Sequence, residues 1–121
     1  MFTSLMALFV VGMASCQSAD GFKTIKEDEF VSLSKKSEAI ILDVRTPSEY
    51  AEGHIEKAIL VDYNSGNFES EIDKLDKSKS YLVYCRSGGR SARASELMSK
   101  KGFKVYNLDG GISSWSGKVV Q

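Results

Sequence analysis

The residues best equipped for chemistry stand together at Cys85-Arg86-Ser87-Gly88-Gly89-Arg90, a thiol followed closely by two guanidinium groups and two glycines. Such a loop suits an anion. If its backbone curls as a nest, successive N–H groups converge on the cysteine sulfur, and a helix starting after the loop adds the positive end of its dipole. Both effects lower the thiol pKa, and Arg86 and Arg90 lower it further, so Cys85 is expected to be largely thiolate near neutral pH. A thiolate beside two cations is a nucleophile with a place for an oxyanionic substrate. Cys85 is therefore the candidate catalytic residue, with Arg86, Ser87, Gly88, Gly89 and Arg90 as candidate substrate-binding residues. The plain alternative is a buried structural cysteine at a strand end, a common occurrence. Two arginines and two glycines straight after it argue against that reading.

A loop can present a nucleophile only if rigid elements hold it. From Phe22 onward, short apolar runs alternate with helical stretches, which is an α/β pattern. Strands are expected at Phe22 to Ile25, Ala39 to Val44, Ala58 to Val61, Tyr81 to Tyr84 and Lys104 to Leu108. Helices are expected over Lys26 to Lys36, after Thr46, over Phe68 to Leu75 and over Ser91 to Lys101, with Gly111 to Trp115 a final turn or short helix. Thr46-Pro47-Ser48-Glu49 has the form of a capping box with Pro at the first helical position, and that helix should end near Gly53. Lys100, Lys101 and Gly102 close the helix before the last strand. Strands this apolar belong in a parallel sheet covered on both faces, and ligands of such sheets bind beyond the carboxyl ends of the strands. Cys85 ends one of them.

The chain has 121 residues, 42% of them hydrophobic, enough for one domain and one modest core. Sixteen basic and sixteen acidic residues cancel, and neither sign forms a block, so no nucleic-acid footprint is visible. Residues 1–15 carry no Asp, Glu, Lys or Arg, and Leu5 to Ala14 is an apolar run broken only by Gly12. That run is shorter than the roughly 20 residues a bilayer span needs. It has the length of a signal-peptide core, though without a basic leading segment. Met13-Ala14-Ser15-Cys16 resembles the lipobox of bacterial lipoproteins, in which the cysteine becomes the lipidated first residue. Residues 1–15 are read as a lipoprotein-type signal peptide, 16–21 as a tether and 22–121 as the domain. Lipidation at Cys16 would anchor the protein at the periplasmic or cell-envelope side of a membrane without spanning it. Cleavage near Ala14 that leaves Cys16 a free thiol, and an uncleaved arm packed on the domain, are the alternatives.

Three stretches together carry a resemblance to a known family. The loop from Cys85 to Arg90, followed by Ser91, is similar to the active-site loop of single-domain rhodaneses. Asp43-Val44-Arg45 with Glu49-Tyr50 and Gly53-His54-Ile55 resembles their upstream signature, and Asp109-Gly110-Gly111 with Trp115 their carboxy-terminal one. One departure is Lys57, where the family usually has glycine before Ala58. The resemblance implies a five-stranded parallel sheet with helices on both faces. It also implies a ping-pong sulfurtransferase, in which Cys85 takes a sulfane sulfur from thiosulfate or a persulfide and passes it to cyanide or a thiol, with no metal or other cofactor. Related phosphatases place five residues between the nucleophilic cysteine and the arginine. Here four intervene, the smaller ring of the sulfurtransferase form.

Other residues divide between structure and site. Arg45, at a strand end on the loop side of the sheet, is taken as a further candidate substrate-binding residue, whereas Asp43 is expected to form an ion pair tying the strand end to its neighbour. His54, the only histidine, is expected to make a structural hydrogen bond rather than serve as a base. Gly110 and Gly111 suggest a tight turn, Trp115 a cover for the core edge, and Tyr81 and Tyr84 core positions.

Overall fold

The computed structural model describes residues 21–121; the expected leader, Cys16 and most of the tether lie outside them. In chain order come β1 (Lys23–Ile25), α1 (Glu27–Ser34), β2 (Ala39–Asp43), α2 (Pro47–Glu52), β3 (His54–Ile55) and β4 (Ile59–Leu60). Then follow α3 (Phe68–Ile72), β5 (Ser80–Tyr84), α4 (Gly89–Lys100), β6 (Lys104–Leu108), a 3-10 turn (Gly111–Ser114) and β7 (Val119–Val120). Five strands form one sheet in the order β1-β6-β5-β2-β4, and every pairing in it is parallel. The expected α/β architecture is what is found.

Period-two alternation along β5 divides the core in two. Tyr81 and Val83, with Cys85 beyond them, face a cluster completed by Phe68 and Ile72 of α3 and Ala94 and Met98 of α4. Leu82 and Tyr84 face the opposite cluster, with Phe30 of α1, Leu108 and the flanking Tyr50 and Trp115. Burial on both faces is why β5 reads as an unbroken apolar run. Because the sheet is parallel, the ends of β2 and β5 lie side by side, Asp43 in register with Tyr84. Everything that follows these strands is gathered at one edge.

Four local outcomes differ from the sequence expectation. Helix α4 starts at Gly89, two residues before the predicted Ser91, because Gly88 takes a left-handed conformation (φ 114°) and makes the turn by itself. The strand at Ala58 to Val61 shortens to Ile59–Leu60, and the helix from Phe68 ends at Ile72. A separate antiparallel pair joins β3 to β7, His54 opposite Val120 and Ile55 opposite Val119. Two-residue strands far apart in sequence leave no periodicity to read.

Candidate active site

The cradle begins where β5 ends. Cys85 is 1% exposed, with its Sγ on the α4 side of the sheet. The Gly88 N–H donates to Sγ at 3.1 Å and the Ser91 hydroxyl at 3.4 Å. Burial pushes the Cys85 thiol up and is the largest single influence on it. The Ser91 hydroxyl and the backbone N–H groups of Ser91, Gly88 and Ser87 together pull harder the other way, so the thiol ionises below its ordinary range. The sulfur also sits at the amino end of α4, where the helix dipole favours negative charge.

The carbonyls of Cys85 and Arg86 are engaged on the outside of the loop, which fixes the peptide planes that carry the Arg86 and Ser87 N–H groups. The Ile112 N–H donates to the Cys85 carbonyl and the Ser113 N–H to the Arg86 carbonyl, both at 2.9 Å, and the Ser113 hydroxyl reaches the latter at 2.7 Å. For the 3-10 turn to come this close, residue 111 must lack a side chain. A Cβ on Gly111 would lie 2.5 Å from the Arg86 carbonyl oxygen and 2.6 Å from that of Cys85. The Gly110-Gly111 pair thus supports the cradle from behind, a more specific task than the tight turn expected of it.

The two arginines of the loop part company. Arg86 is exposed, as is Ser87, and it has no ion-pair partner among the described residues. Arg90 falls in the first turn of α4 instead of the loop, as does Gly89. Its guanidinium holds Glu49 at two points, 2.9 Å to Oε1 and 3.0 Å to Oε2. In this arrangement the guanidinium expected to hold an oxyanion faces a carboxylate of the protein itself. Glu49 is itself placed by the capping box, with the Thr46 N–H and hydroxyl donating to Oε1 and the Glu49 N–H donating back to Thr46 Oγ1. Arg90 above all, with the Thr46 donors, holds the Glu49 carboxyl at about 2 against the opposing effect of burial.

Arg45, expected to bind substrate, is 6% exposed and paired within the fold. Its guanidinium meets Asp43 through Nε (3.0 and 3.1 Å to Oδ1 and Oδ2) and Nη2 (2.7 Å to Oδ2), and Nη2 also donates to the Gly53 carbonyl at 2.7 Å. The Tyr84 hydroxyl donates to Asp43 Oδ2 at 2.6 Å and accepts from the Ile55 N–H at 3.0 Å. Burial first, and then Asp43, push the Tyr84 phenol well above its ordinary value. These bonds tie β2, β5 and β3 together, so Asp43 has the structural role expected of it. His54 stacks on Tyr50 with centroids 3.6 Å apart and bonds the Tyr50 carbonyl through Nδ1 at 2.9 Å. It is a structural histidine.

Ser91, which follows the loop in the sequence and is not among the residues expected to bind substrate, belongs to the site. Its hydroxyl reaches the sulfur from the first turn of α4, where the early helix start places it. A groove of about 860 Å³ opens on the other side of the sheet end, with Val31, Leu108, Gly110, Gly111 and Trp115 in its lining; Cys85 is not part of it. Among the described residues no three His, Cys, Asp or Glu side chains come together as metal ligands. Nor is any helix there long and apolar enough to cross a membrane.

Residues 26–118 match the family described as the rhodanese-like domain. Among solved structures, a rhodanese-related protein from Thermoplasma volcanium is 31% identical, with 81% of this chain and 97% of that one covered and a TM-score of 0.74. A Rhodopseudomonas palustris protein described as of unknown function and a possible tyrosine phosphatase is 25% identical (86% and 94% covered, TM-score 0.68). A NAD-dependent persulfide reductase from A. fulgidus is 30% identical over 78% of this chain and 16% of that longer one, with a TM-score of 0.59. No curated protein matches.

Proposed function

The chain belongs to the rhodanese-like domain family, and on that premise we propose that it is a sulfurtransferase carrying a sulfane sulfur on Cys85. The observation that carries this reading is a lone buried sulfur ringed by donors. Gly88 N–H and Ser91 Oγ lie at 3.1 and 3.4 Å, with four residues between Cys85 and Arg90. Four intervening residues make the smaller ring of the two related forms, and that spacing favours a single sulfur over a phosphoryl group.

In the first half-reaction the Cys85 thiolate attacks the outer sulfur of the donor. The Sγ–S bond forms, the donor S–S bond breaks, and its electron pair leaves with sulfite if the donor is thiosulfate, or with a thiolate if it is a persulfide. The anionic sulfur then lies where the loop N–H groups converge, preorganised dipoles that need no rearrangement. In the second half-reaction an acceptor thiolate or cyanide attacks that outer sulfur, and Cys85 leaves as thiolate. Its lowered pKa makes it a better leaving group as well as a larger fraction nucleophile. Among the described residues no second cysteine can resolve the persulfide, so the acceptor comes from outside them. The similarity to part of a persulfide reductase supports persulfide handling by this fold. As a further part of the proposal, Cys16, outside the described residues, carries a lipid that anchors the domain at the envelope.

Mass spectrometry after treatment with thiosulfate or a persulfide tests the reading. One added sulfur on the Cys85 peptide, absent in Cys85→Ser, is expected. No adduct with either donor, together with Cys85-dependent turnover of an aryl phosphate, would establish the phosphatase alternative instead.

A further inference from the structure

The cradle's own cation is already occupied. Arg90 stands in the first turn of α4, one residue before Ser91, and part of its raised basicity comes from the negative charge of Cys85, after the larger effect of Glu49. Its guanidinium and the Glu49 carboxylate form a two-point pair with both side chains about one-fifth exposed. Two-point geometry of this kind is the strong form of the contact. The other arginine near the strand ends, Arg45, is neutralised by Asp43. Arg86 has no ion-pair partner among the described residues but is exposed, where solvent and salt screen it. Around the thiolate, then, N–H dipoles are abundant and unpaired positive charge is scarce.

We propose that Glu49 sets donor specificity in the Cys85 site. By holding Arg90 it cancels the charge that would draw in a small dianion, so the site favours donors of low net charge, such as an amino-acid persulfide, over thiosulfate. This rests on the sulfurtransferase reading and adds a choice of substrate to it. With a persulfide, the Cys85 thiolate forms the Sγ–S bond, the donor S–S bond breaks, the proton stays on the transferred sulfur and the pair leaves on the donor thiolate. The reacting charge passes between sulfurs, and the one that starts with it, Cys85 Sγ, already accepts from the Gly88 N–H. Thiosulfate instead brings a sulfonate that needs a free cation. Glu49 touches no substrate, so it is a positioning residue that acts through Arg90.

Glu49→Gln is the direct test, because glutamine keeps a capping-box acceptor and one bond to Arg90 while removing the charge. In the full chain, Cys85 is alkylated with anionic iodoacetate and with neutral iodoacetamide, and the ratio of the two rates reads the local potential without any sulfur transfer. The ratio is expected to rise on the order of three- to tenfold in Glu49→Gln, and the rise should fade at high salt. The kcat/KM for thiosulfate relative to cysteine persulfide is expected to rise in parallel. Thr46→Ala weakens the same cap but keeps the carboxylate, so it should leave the alkylation ratio as in the wild type. An unchanged ratio in Glu49→Gln, or an equal rise in Thr46→Ala, overturns the proposal. If no persulfide forms on any variant, the sulfurtransferase reading fails, and the alkylation ratio still decides whether Glu49 masks Arg90.

Discussion

Gly111→Ala should damage the cradle from behind without touching a reacting atom. A methyl group there would lie 2.5 Å from the Arg86 carbonyl oxygen and 2.6 Å from that of Cys85, roughly 1 Å inside ordinary contact. Both atoms are backbone, so relief requires the 3-10 turn to move off the loop. That motion breaks the bonds from the Ile112 and Ser113 N–H groups and the Ser113 hydroxyl, each worth about 1 kcal/mol. Gly111 also has φ 60°, which alanine tolerates poorly. Gly102→Ala is the control: it shares a positive φ (100°) but would meet nothing within 4 Å. The unfolded-state contributions are similar in the two variants, and alanine is strained at least as much at φ 100° as at 60°, so the excess loss in Gly111→Ala, up to about 2–3 kcal/mol, is a lower bound on the clash and the lost bonds. For a domain of about 100 residues this is roughly 10–20 °C in Tm. Thermal and denaturant unfolding measure it, and alkylation of Cys85 should slow in Gly111→Ala alone. Stabilities of the two variants within about 0.5 kcal/mol of each other would refute the argument that the turn is pressed against the loop.

Ser91→Ala removes a donor that favours the ionised form of Cys85. The thiol then titrates at higher pH than in the wild type, and the pH profile of iodoacetamide alkylation moves in the alkaline direction; a profile that stays in place would show that the hydroxyl serves only the Gly88 carbonyl. Lys57 is the one non-glycine residue with positive φ (75°) among those described, and it is exposed. Relief of left-handed strain at about 1–2 kcal/mol against glycine's entropic cost of about 0.5–1 kcal/mol makes Lys57→Gly stabilising by about 0.5–1 kcal/mol. A Tm at or below that of the wild type contradicts this.

What could be read from the sequence was local. The capping box at Thr46 and Glu49 forms in both directions, the strand ending at Tyr84 presents Cys85 where its neighbours suggested, and Gly102 ends α4 as expected. Lys57, singled out for standing where the family has glycine, proves to be in a glycine-like conformation. What escaped was long-range. Arg90 and Glu49 are 41 residues apart, and nothing in either neighbourhood says that one will take the other. Arg45 lies in a stretch suited equally to a site or to structure, and its bonds to Asp43 and to the Gly53 carbonyl appear only in the folded chain. Ser91 was hidden by the helix boundary: Gly88 and Gly89 read as loop, whereas the left-handed turn at Gly88 alone lets the helix begin beneath the sulfur.

The outward bonds of the Cys85 and Arg86 carbonyls bear on the protein's history of oxidation as much as on its turnover. Turning either peptide plane would break bonds to Ile112 or Ser113, so the Ser87 N–H keeps its direction whatever the sulfur carries. An enclosure fixed in this way shelters any small anion formed on Sγ, including a sulfinate as well as a persulfide, and it has no means of expelling the wrong one. Overoxidised Cys85 would be held as comfortably as the working intermediate, and the damage would persist for the lifetime of the chain.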